Sequence, residues 1–227
     1  MKVAVLGDGL LGSELVNQMK WDYYSRKKDS IDILEVQNWA PLLLTPYDTI
    51  INCMAYTNTY SLDRDSNWKI NVVAVEKLIE YCNKEDKKLI HISTDYLYAG
   101  SVQDATEEDV PVHLPTWYGY TKLVGDALVQ LRSNNFLICR LSHKQNPFPY
   151  PQAWHDINTN CDYVDVIAKL VITLVENRYQ GVYNVGTETK TIFELAKQTN
   201  PDVLPIFKPG KVPSDTTMNL SKLLNVI

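Results

Sequence analysis

The hydrophobic positions of this chain form short, nearly continuous runs separated by longer stretches of mixed polarity. Continuous runs, as opposed to alternating ones, are typical of parallel strands that are covered on both faces. The runs predict six buried strands, over residues 2–6, 31–36, 49–55, 88–93, 136–141 and 181–185.

Between these runs, apolar residues recur at helical spacing. Leu11, Leu15 and Met19, for example, lie four residues apart and would share one face of a helix. The same pattern predicts helices over residues 10–20, 65–83, 118–132, 163–177 and 191–199. Strands that alternate with helices build βαβ units with right-handed crossovers. The sequence therefore predicts a doubly wound α/β fold around a parallel sheet.

A glycine-rich turn directly follows the first predicted strand. Gly7, Gly9 and Gly12 give the pattern G-x-G-x-x-G between a strand and a helix. In that context the first glycine permits a tight turn, the second lets the backbone approach a pyrophosphate, and the third lets the helix pack against the strand. The N–H groups at the start of the helix add a partial positive charge. The motif predicts a Rossmann-like domain that binds NADP or NAD.

The sequence leaves the choice between NAD and NADP open. Asp32 and, three residues later, Glu35 follow Gly12 at about the 20-residue interval where an acidic side chain binds the adenosine ribose of NAD. Arg26, Lys27 and Lys28 lie just before Asp32, and a cation at that place would hold the 2′-phosphate of NADP.

Charge and composition argue against several other classes. A net charge of −5 does not favour general binding to nucleic acid or to an anionic membrane. No apolar run approaches the roughly 20 residues that a membrane span needs. The four cysteines form no close pair, and the histidines at 91, 113, 143 and 155 form no H-x-x-x-H pair, so no metal site is expected. Unpaired cysteines also favour a reducing, cytoplasmic compartment.

Polar residues suited to catalysis lie at the end of the fourth hydrophobic run. The segment Ser93–Tyr96 follows this run at the carboxyl end of the strand, which is where ligands bind in a doubly wound sheet. Tyr118 and Lys122, four residues apart, would share one helix face. Two further Tyr-x-x-x-Lys pairs, at 23/27 and 24/28, lie in a charged segment far from these motifs and are interpreted as surface residues.

These segments together resemble the extended short-chain dehydrogenase/reductases, and within them the dTDP-4-dehydrorhamnose reductase group of nucleotide-sugar reductases. The resemblance runs along nearly the whole chain and is carried by residues 7–12, 52–58, 93–100, 118–122, 139–142, 162–171, 181–186 and the terminal PSDTTMNLSKL. The glycine turn, the Ser-Thr-Asp-Tyr strand end and the Tyr/Lys helix are specific when they occur in this order.

The resemblance implies roles for individual residues in the reduction of a keto group by NAD(P)H. Tyr118 would donate the proton, Lys122 would lower the pKa of Tyr118, and Thr94 would orient the substrate oxygen. The cofactor would lie along Gly7, Gly9, Leu10, Leu11, Gly12, Asp32, Cys53, Ala55, Tyr118 and Lys122. The nucleotide-sugar substrate would contact Ser93, Asp95, Tyr96 and His143. The resemblance also implies a homodimer, although nothing in the residues themselves demands one.

The chain departs from the family after Arg140. The stretch from Arg140 to Asp162 is short and carries prolines at 147, 149 and 151, which suit neither a helix nor a central strand. We therefore expect a cofactor domain over residues 1–142 and a small, shortened substrate lobe over 143–227, with 182–185 returning to the main sheet. The aromatic residues at 148, 150 and 154 would either stack on a nucleotide base or hold the proline-rich loop against the body.

Three functions are consistent with these observations. Intact Thr94, Tyr118 and Lys122 favour a reductase of a 6-deoxy nucleotide sugar, and Tyr96, in place of the acid of the 4,6-dehydratases, disfavours a dehydratase. A nucleotide-sugar epimerase or epimerase/reductase of the same superfamily stays open. The shortened lobe also leaves open a non-catalytic regulatory subunit that binds NAD(P).

Overall fold

A parallel sheet organises the protein in the computed structural model, which describes residues 1–110 and 114–227. The sheet of the described residues has six strands: β1 (Val3–Leu6), β2 (Asp22–Tyr24), β3 (Thr49–Asn52), β4 (Lys88–Thr94), β5 (Phe136–Leu141) and β10 (Gly181–Val185). Their order across the sheet is β10-β5-β4-β3-β1-β2. Every neighbouring pair is parallel, so the predicted doubly wound α/β fold is confirmed.

Helices connect the strands and cover both faces of the sheet. The helices are α1 (Leu10–Met19), α2 (Arg26–Asp29), α3 (Val36–Leu43), α4 (Arg64–Trp68), α5 (Ala74–Lys84), α6 (Trp117–Arg132), α7 (Val164–Glu176), α8 (Ile192–Lys197) and α9 (Ser221–Leu224). A π-helical turn, Lys69–Val73, joins α4 to α5, and two 3₁₀ turns lie at Ile33–Glu35 and Asp95–Tyr98. The five predicted helices are all present, with ends that differ by three residues or fewer.

Two hydrophobic clusters explain why the strand sequences are continuously apolar. Val3 and Val5 of β1 contribute to the cluster under α1 and α7. Ala4 and Leu6 contribute to the cluster under α3 and α5 on the other face. Successive side chains of a strand point to opposite faces, so a strand covered on both faces needs apolar residues at every position.

The prediction of a strand over residues 31–36 is wrong. Within residues 31–36, Ile33–Glu35 form a 3₁₀ turn and Val36 begins α3, whereas β2 lies earlier, at Asp22–Tyr24. Ile33, Val36 and Ala40 are buried at spacings of three and four residues, which is a helical period. The real β2 is short, and all three of its residues are exposed or only partly buried, so hydrophobicity does not reveal it.

The segment after β5 builds a lobe from short two-stranded sheets. Its strands are β6 (His143–Lys144), β7 (Gln152–Trp154), β8 (Asn158–Thr159), β9 (Asp162–Tyr163), β11 (Lys190–Thr191) and β12 (Leu204–Ile206). They pair as β6 with β9, β7 with β12 and β8 with β11. A separate hydrophobic cluster, which includes Phe148, Cys161 and Leu195, fills this lobe. The proline-rich segment thus stays outside the six-stranded sheet, as the sequence predicts.

Candidate active site

A cleft of about 600 Å³ opens at the carboxyl edge of the sheet, between the sheet and the lobe. Most of the residues that the sequence singles out line it: Gly9, Leu10, Leu11, Gly12, Cys53, Ala55, Ser93, Thr94, Asp95, Tyr96, Tyr118, Lys122 and His143. Gly7 lies just behind the lining, and Asp32 lies elsewhere. The edge where the parallel strands end therefore brings together motifs that are far apart in the chain.

The glycine turn begins directly where β1 ends. Gly7 has a φ of +105°, which favours glycine, and its N–H donates to Tyr24 O at 2.9 Å. A Cβ at Gly12 would lie 2.2 Å from Gly7 O, so α1 can approach the turn only because Gly12 has no side chain. A Cβ at Gly9 would meet nothing within 4 Å. Since no side chain caps α1, its first N–H groups remain available to an anion.

Asp32 does not reach this cleft. Its side chain accepts a hydrogen bond from Leu34 N at 2.9 Å and so caps the 3₁₀ turn that replaces the predicted strand. Its carbonyl oxygen accepts from Trp39 Nε1 at 2.7 Å. The residues that follow the real β2 are Ser25 and Arg26, and Ser25 Oγ donates to Asp8 Oδ2 at 2.9 Å. The cationic segment, not Asp32, therefore comes next to the glycine turn.

Tyr118 lies at the start of α6 and faces the cleft beside Thr94. Burial raises the pKa of Tyr118 to about 12, while a hydrogen bond with the Thr94 side chain acts in the opposite direction. The ring of Tyr96 packs edge-on against Tyr118, with centroids 6.3 Å apart. This pKa lies above the ordinary value, whereas the sequence leads us to expect a lowered one. The reason is that desolvation of the phenol, with the negative charges of Asp95 and Asp126 acting in the same direction, outweighs the hydrogen bond with Thr94.

Lys122 lies one helix turn further along α6 and is 2% exposed. Its Nζ donates to Ile92 O at 2.8 Å and lies 3.4 Å from His91 Nε2. Burial lowers the pKa of Lys122 to about 8, although Asp126 and Cys53 act in the opposite direction. The side chain is therefore held by β4 at the inner end of the cleft, where its ammonium can respond to charge on a ligand.

Sequence reasoning missed Tyr60, which lines the cleft, and Lys211, which contacts Tyr60. Tyr60 lies in the loop after β3, and its hydroxyl is 2.7 Å from that of Tyr96. Lys211, from the segment before α9, places its ammonium 4.4 Å from the Tyr60 ring centroid. These contacts join loops that are distant in sequence, and no local pattern marks them.

Two polar atoms in the cleft have no hydrogen-bond partner among the described residues. They are Ser93 Oγ and His143 Nδ1. Burial lowers the pKa of His143 to about 4, and the nearby charge of Lys144 acts in the same direction, so the imidazole is neutral at physiological pH. Unpaired buried polar atoms in a cleft are suited to bind a polar ligand.

A second cavity of about 500 Å³ adjoins the first, and Lys144, Trp154 and Ile192 line both. The three aromatic residues of the proline-rich segment differ in their environments. Phe148 is 5% exposed and belongs to the core of the lobe, whereas Tyr150 is 61% exposed and Trp154 is half-buried at the wall of both cavities. Phe148 thus holds the loop in place, and Tyr150 and Trp154 present aromatic surface to the cavity.

In the described part of the chain, no group of three or more His, Cys, Asp or Glu is placed to hold a metal ion. His113, one of the four histidines considered in the sequence, lies outside the described residues. No described helix is long and apolar enough to cross a membrane.

The glycine turn and the Thr/Tyr/Lys group at the carboxyl edge of a doubly wound sheet define a Rossmann-type protein of the extended short-chain dehydrogenase/reductase class. Within that class, a model of the RmlD substrate binding domain matches residues 1–144. This match covers more than half of the chain, and the chain belongs to that family.

Curated relatives match parts of the chain. A probable low-salt glycan biosynthesis reductase of Haloferax volcanii is 30% identical over 153 residues, which cover 60% of this chain and 50% of the relative. The spore coat polysaccharide biosynthesis protein SpsK of Bacillus subtilis is 25% identical over 203 residues, covering 84% of this chain and 65% of SpsK. The chain thus spans half to two thirds of the length of these relatives.

Solved structures resemble the whole chain. A hypothetical dTDP-4-dehydrorhamnose reductase from Sulfolobus tokodaii matches with a TM-score of 0.84 and 22% identity, covering 100% of this chain and 95% of that one. The dTDP-4-dehydrorhamnose reductase of Bacillus anthracis, in complex with NADP, matches with a TM-score of 0.83 and 24% identity, covering 99% and 92%. At these identities the similarity establishes the fold.

Proposed function

We propose that this protein uses NADPH or NADH to reduce a keto group on a nucleotide-activated 6-deoxy sugar, with Tyr118 as the proton donor. The observation that carries the proposal is the meeting of Thr94, Tyr118 and Lys122 with the glycine turn in one cleft. The family supports it, since dTDP-4-dehydrorhamnose reductases are among the curated relatives, one of them 31% identical over 97 residues that cover 42% of this chain and 33% of that reductase.

The residues of the cleft fit a dinucleotide. The open space over Gly9 admits a pyrophosphate to the backbone of the turn, and the uncapped start of α1 favours its negative charge. Cys53 and Ala55 line the inner part of the cleft together with Lys122, which would hold the nicotinamide ribose. When bound, NAD(P)H supplies the hydride, and the protein supplies binding and orientation.

The protein's own part of the reaction is the transfer of a proton. With a pKa raised to about 12, Tyr118 carries its proton at neutral pH and can donate it to the ketone oxygen as that oxygen gains charge. Thr94, which hydrogen-bonds Tyr118, orients the same oxygen. The ammonium of Lys122 favours the tyrosinate that results.

The two adjoining cavities suit the two ends of a sugar nucleotide. The sugar would lie in the catalytic cleft against Tyr96 and His143, and the base would stack on Trp154 or Tyr150 in the second cavity. Lys144 lies at the junction, where a diphosphate would place its negative charge. We accordingly propose that residues 1–142 hold the cofactor and that 143–227, apart from β10, hold the substrate. The homodimer and the cytoplasmic location stay predictions of the resemblance and the composition.

The test compares Tyr118→Phe with Tyr120→Phe, a variant two residues further along the same helix. NADPH-dependent reduction of a dTDP-4-keto-6-deoxy sugar should fall by about 10²–10⁴-fold in Tyr118→Phe, the usual loss of a general acid. NADPH affinity, followed by its fluorescence, should change little. Tyr120→Phe should keep its activity, and the free keto sugar should react poorly because it lacks the nucleotide.

Other outcomes would decide between the alternatives. Isomerisation of a sugar nucleotide without net oxidation of NADPH would identify an epimerase. If neither NADPH nor NADH binds, the reductase proposal is wrong, and a regulatory subunit becomes the better interpretation. Full activity of Tyr118→Phe would remove Tyr118 from the mechanism.

A further inference from the structure

Lys122 and Asp126 lie one turn apart on α6, at a spacing where lysine and aspartate can form an ion pair. Both are buried, with 2% and 0% of their surface exposed. In the described structure they do not pair with each other. Lys122 Nζ donates to Ile92 O at 2.8 Å, and Asp126 Oδ2 accepts from Arg140 Nε at 2.9 Å.

The second carboxylate oxygen of Asp126 is left unsatisfied when Lys122 and Asp126 do not form an ion pair. Asp126 Oδ1 is buried and has no hydrogen-bond partner among the described residues. A buried carboxylate oxygen without a donor is unfavourable, and the ammonium of Lys122, one turn earlier on the same helix, is a group able to satisfy it. Something must therefore keep the two side chains apart.

The ring of His91 lies close to both side chains. Its Nε2 lies 3.4 Å from Lys122 Nζ and 3.8 Å from Asp126 Oδ1. Its Nδ1 lies 3.4 Å from Asn52 Nδ2 on the neighbouring strand β3. A Cβ at Gly125 would come within 3.7 Å of His91 Nε2, so the ring also lies close against α6.

We propose that His91 is a positioning residue whose ring separates Lys122 from Asp126 and so keeps the ammonium of Lys122 at the inner end of the cofactor cleft. The consequence for catalysis rests on the proposed function, but the separation itself does not. Burial and the nearby Lys122 hold the pKa of His91 well below its ordinary value, so the ring acts as a neutral spacer and does not add a second cation.

The titratable groups around Lys122 come from three elements. Cys53 faces it from the end of β3, His91 faces it from β4, and Asp126 faces it along α6, where Tyr118 lies one turn earlier. A direct ion pair with Asp126 would raise the pKa of Lys122 and draw its ammonium away from Tyr118 and from the cofactor ribose. Either change would weaken the support that Lys122 gives to the tyrosinate.

The test uses two variants that remove the His91 ring and a third that replaces it with another aromatic ring. His91→Ala removes the ring, and His91→Asn removes only its outer half while keeping a polar group toward Asn52. His91→Phe keeps the space filled without an imidazole nitrogen. Lysine labelled with ¹³C and ¹⁵N allows the Nζ of Lys122 to be titrated by NMR, and the loss of one signal in Lys122→Arg assigns it.

In the wild-type protein Lys122 should titrate near pH 8. His91→Ala and His91→Asn should raise this pKa by about one to two units as the ion pair forms, and should weaken NADPH binding by about tenfold. His91→Phe should leave the pKa within about half a unit of the wild-type value.

Two results would overturn the proposal: an unchanged Lys122 pKa in His91→Ala and His91→Asn, or an increase in His91→Phe as large as in His91→Asn. If His91→Ala does not fold, His91→Asn and His91→Phe still give a complete comparison. The titration needs neither substrate nor turnover, so a protein that reduces no sugar nucleotide can still support or contradict the role of His91.

Discussion

At the scale of single residues, two glycines of the same turn serve different purposes. Gly12 is needed for packing, because a Cβ there would lie 2.2 Å from Gly7 O. Gly9 is not, because a Cβ there would meet nothing within 4 Å and would project into the space of the cleft. One glycine thus lets the helix approach the strand, and the other leaves room for a ligand.

This difference predicts that alanine at the two positions acts differently. Gly12→Ala should lower the free energy of unfolding by about 1–3 kcal/mol, as overpacking does, and should also impair NADPH binding. Gly9→Ala should unfold like the wild-type protein but bind NADPH at least about tenfold more weakly, because its methyl group takes the place of phosphate oxygens. Thermal unfolding and NADPH fluorescence measure the two effects.

Gly210→Ala is the matched control, since a Cβ at that exposed position also meets nothing within 4 Å. It should change neither stability nor NADPH affinity. Wild-type affinity in Gly9→Ala would show that phosphates do not contact this turn.

At the scale of elements, hydrophobic pattern identifies strands only where both faces are covered. Five of the six predicted strands lie in the sheet, where β1, β3, β4, β5 and β10 contribute side chains to the hydrophobic clusters on both faces. The edge strand β2 is only three residues long and partly exposed, so its sequence carries no apolar run. The run at 31–36 looks similar to a strand, but Ile33, Val36 and Ala40 follow a helical period.

The parts of the candidate site that can be predicted from the sequence are those that lie within a single helix, strand or turn. The glycine turn, the end of β4 and the start of α6 each carry a local motif, and the carboxyl-edge rule for parallel sheets brings them together. Tyr60, Lys144 and Thr216 also line the cleft, but they reach it from loops whose positions depend on packing of the lobe. His91 and Asp126 were missed because their relation to Lys122 is visible only in three dimensions.

The corrected position of β2 changes the expected cofactor. Because β2 ends at Tyr24, Arg26 and Lys27 follow the strand beside the glycine turn with one residue between, in the place where the adenosine ribose is recognised. We expect NADPH to bind more tightly than NADH. The double variant Arg26→Ala/Lys27→Ala should weaken NADPH binding by about tenfold or more and leave NADH binding nearly unchanged.

Asp32→Asn is the matched control for this prediction. It removes the charge but keeps an oxygen that can accept from Leu34 N. NADH affinity should be the same as in the wild-type protein. The prediction is contradicted if Asp32→Asn binds NADH more weakly and the double variant binds NADPH as the wild-type protein does. That result would mean that Asp32 binds the adenosine ribose.

At the scale of the whole molecule, one buried carboxyl group connects the sheet, the lobe and the C-terminal segment. Asp95 is 3% exposed at the end of β4. Its Oδ2 accepts from Thr216 Oγ1 at 2.9 Å and from Thr159 Oγ1 at 3.4 Å, while its Oδ1 accepts from Thr94 Oγ1 at 3.3 Å. The packing of the lobe over the cleft therefore depends on a group that titrates.

Burial raises the pKa of Asp95 to about 6, while hydrogen bonds from the surrounding threonines act in the opposite direction. The folded pKa lies above the unfolded one, so the protonated group favours folding. This contribution is fully present below about pH 4 and is lost as the pH rises through about 6. A shift of about two units corresponds to on the order of 3 kcal/mol.

Asp95→Asn should remove this loss, because an amide accepts from Thr216 and Thr159 without becoming charged. Its free energy of unfolding, measured with urea, should exceed that of the wild-type protein at pH 8 by more than it does at pH 5.

Asp162→Asn should show the opposite dependence of stability on pH. Burial raises the pKa of Asp162, but hydrogen bonds from Lys190 and Thr187 hold it below its ordinary value. That variant should therefore be less stable than the wild-type protein at pH 7, by a margin that shrinks as the pH falls below about 4. If the free energy of unfolding depends on pH in the same way in the wild-type protein and in Asp95→Asn, the Asp95 carboxyl group does not couple the packing of the lobe to pH.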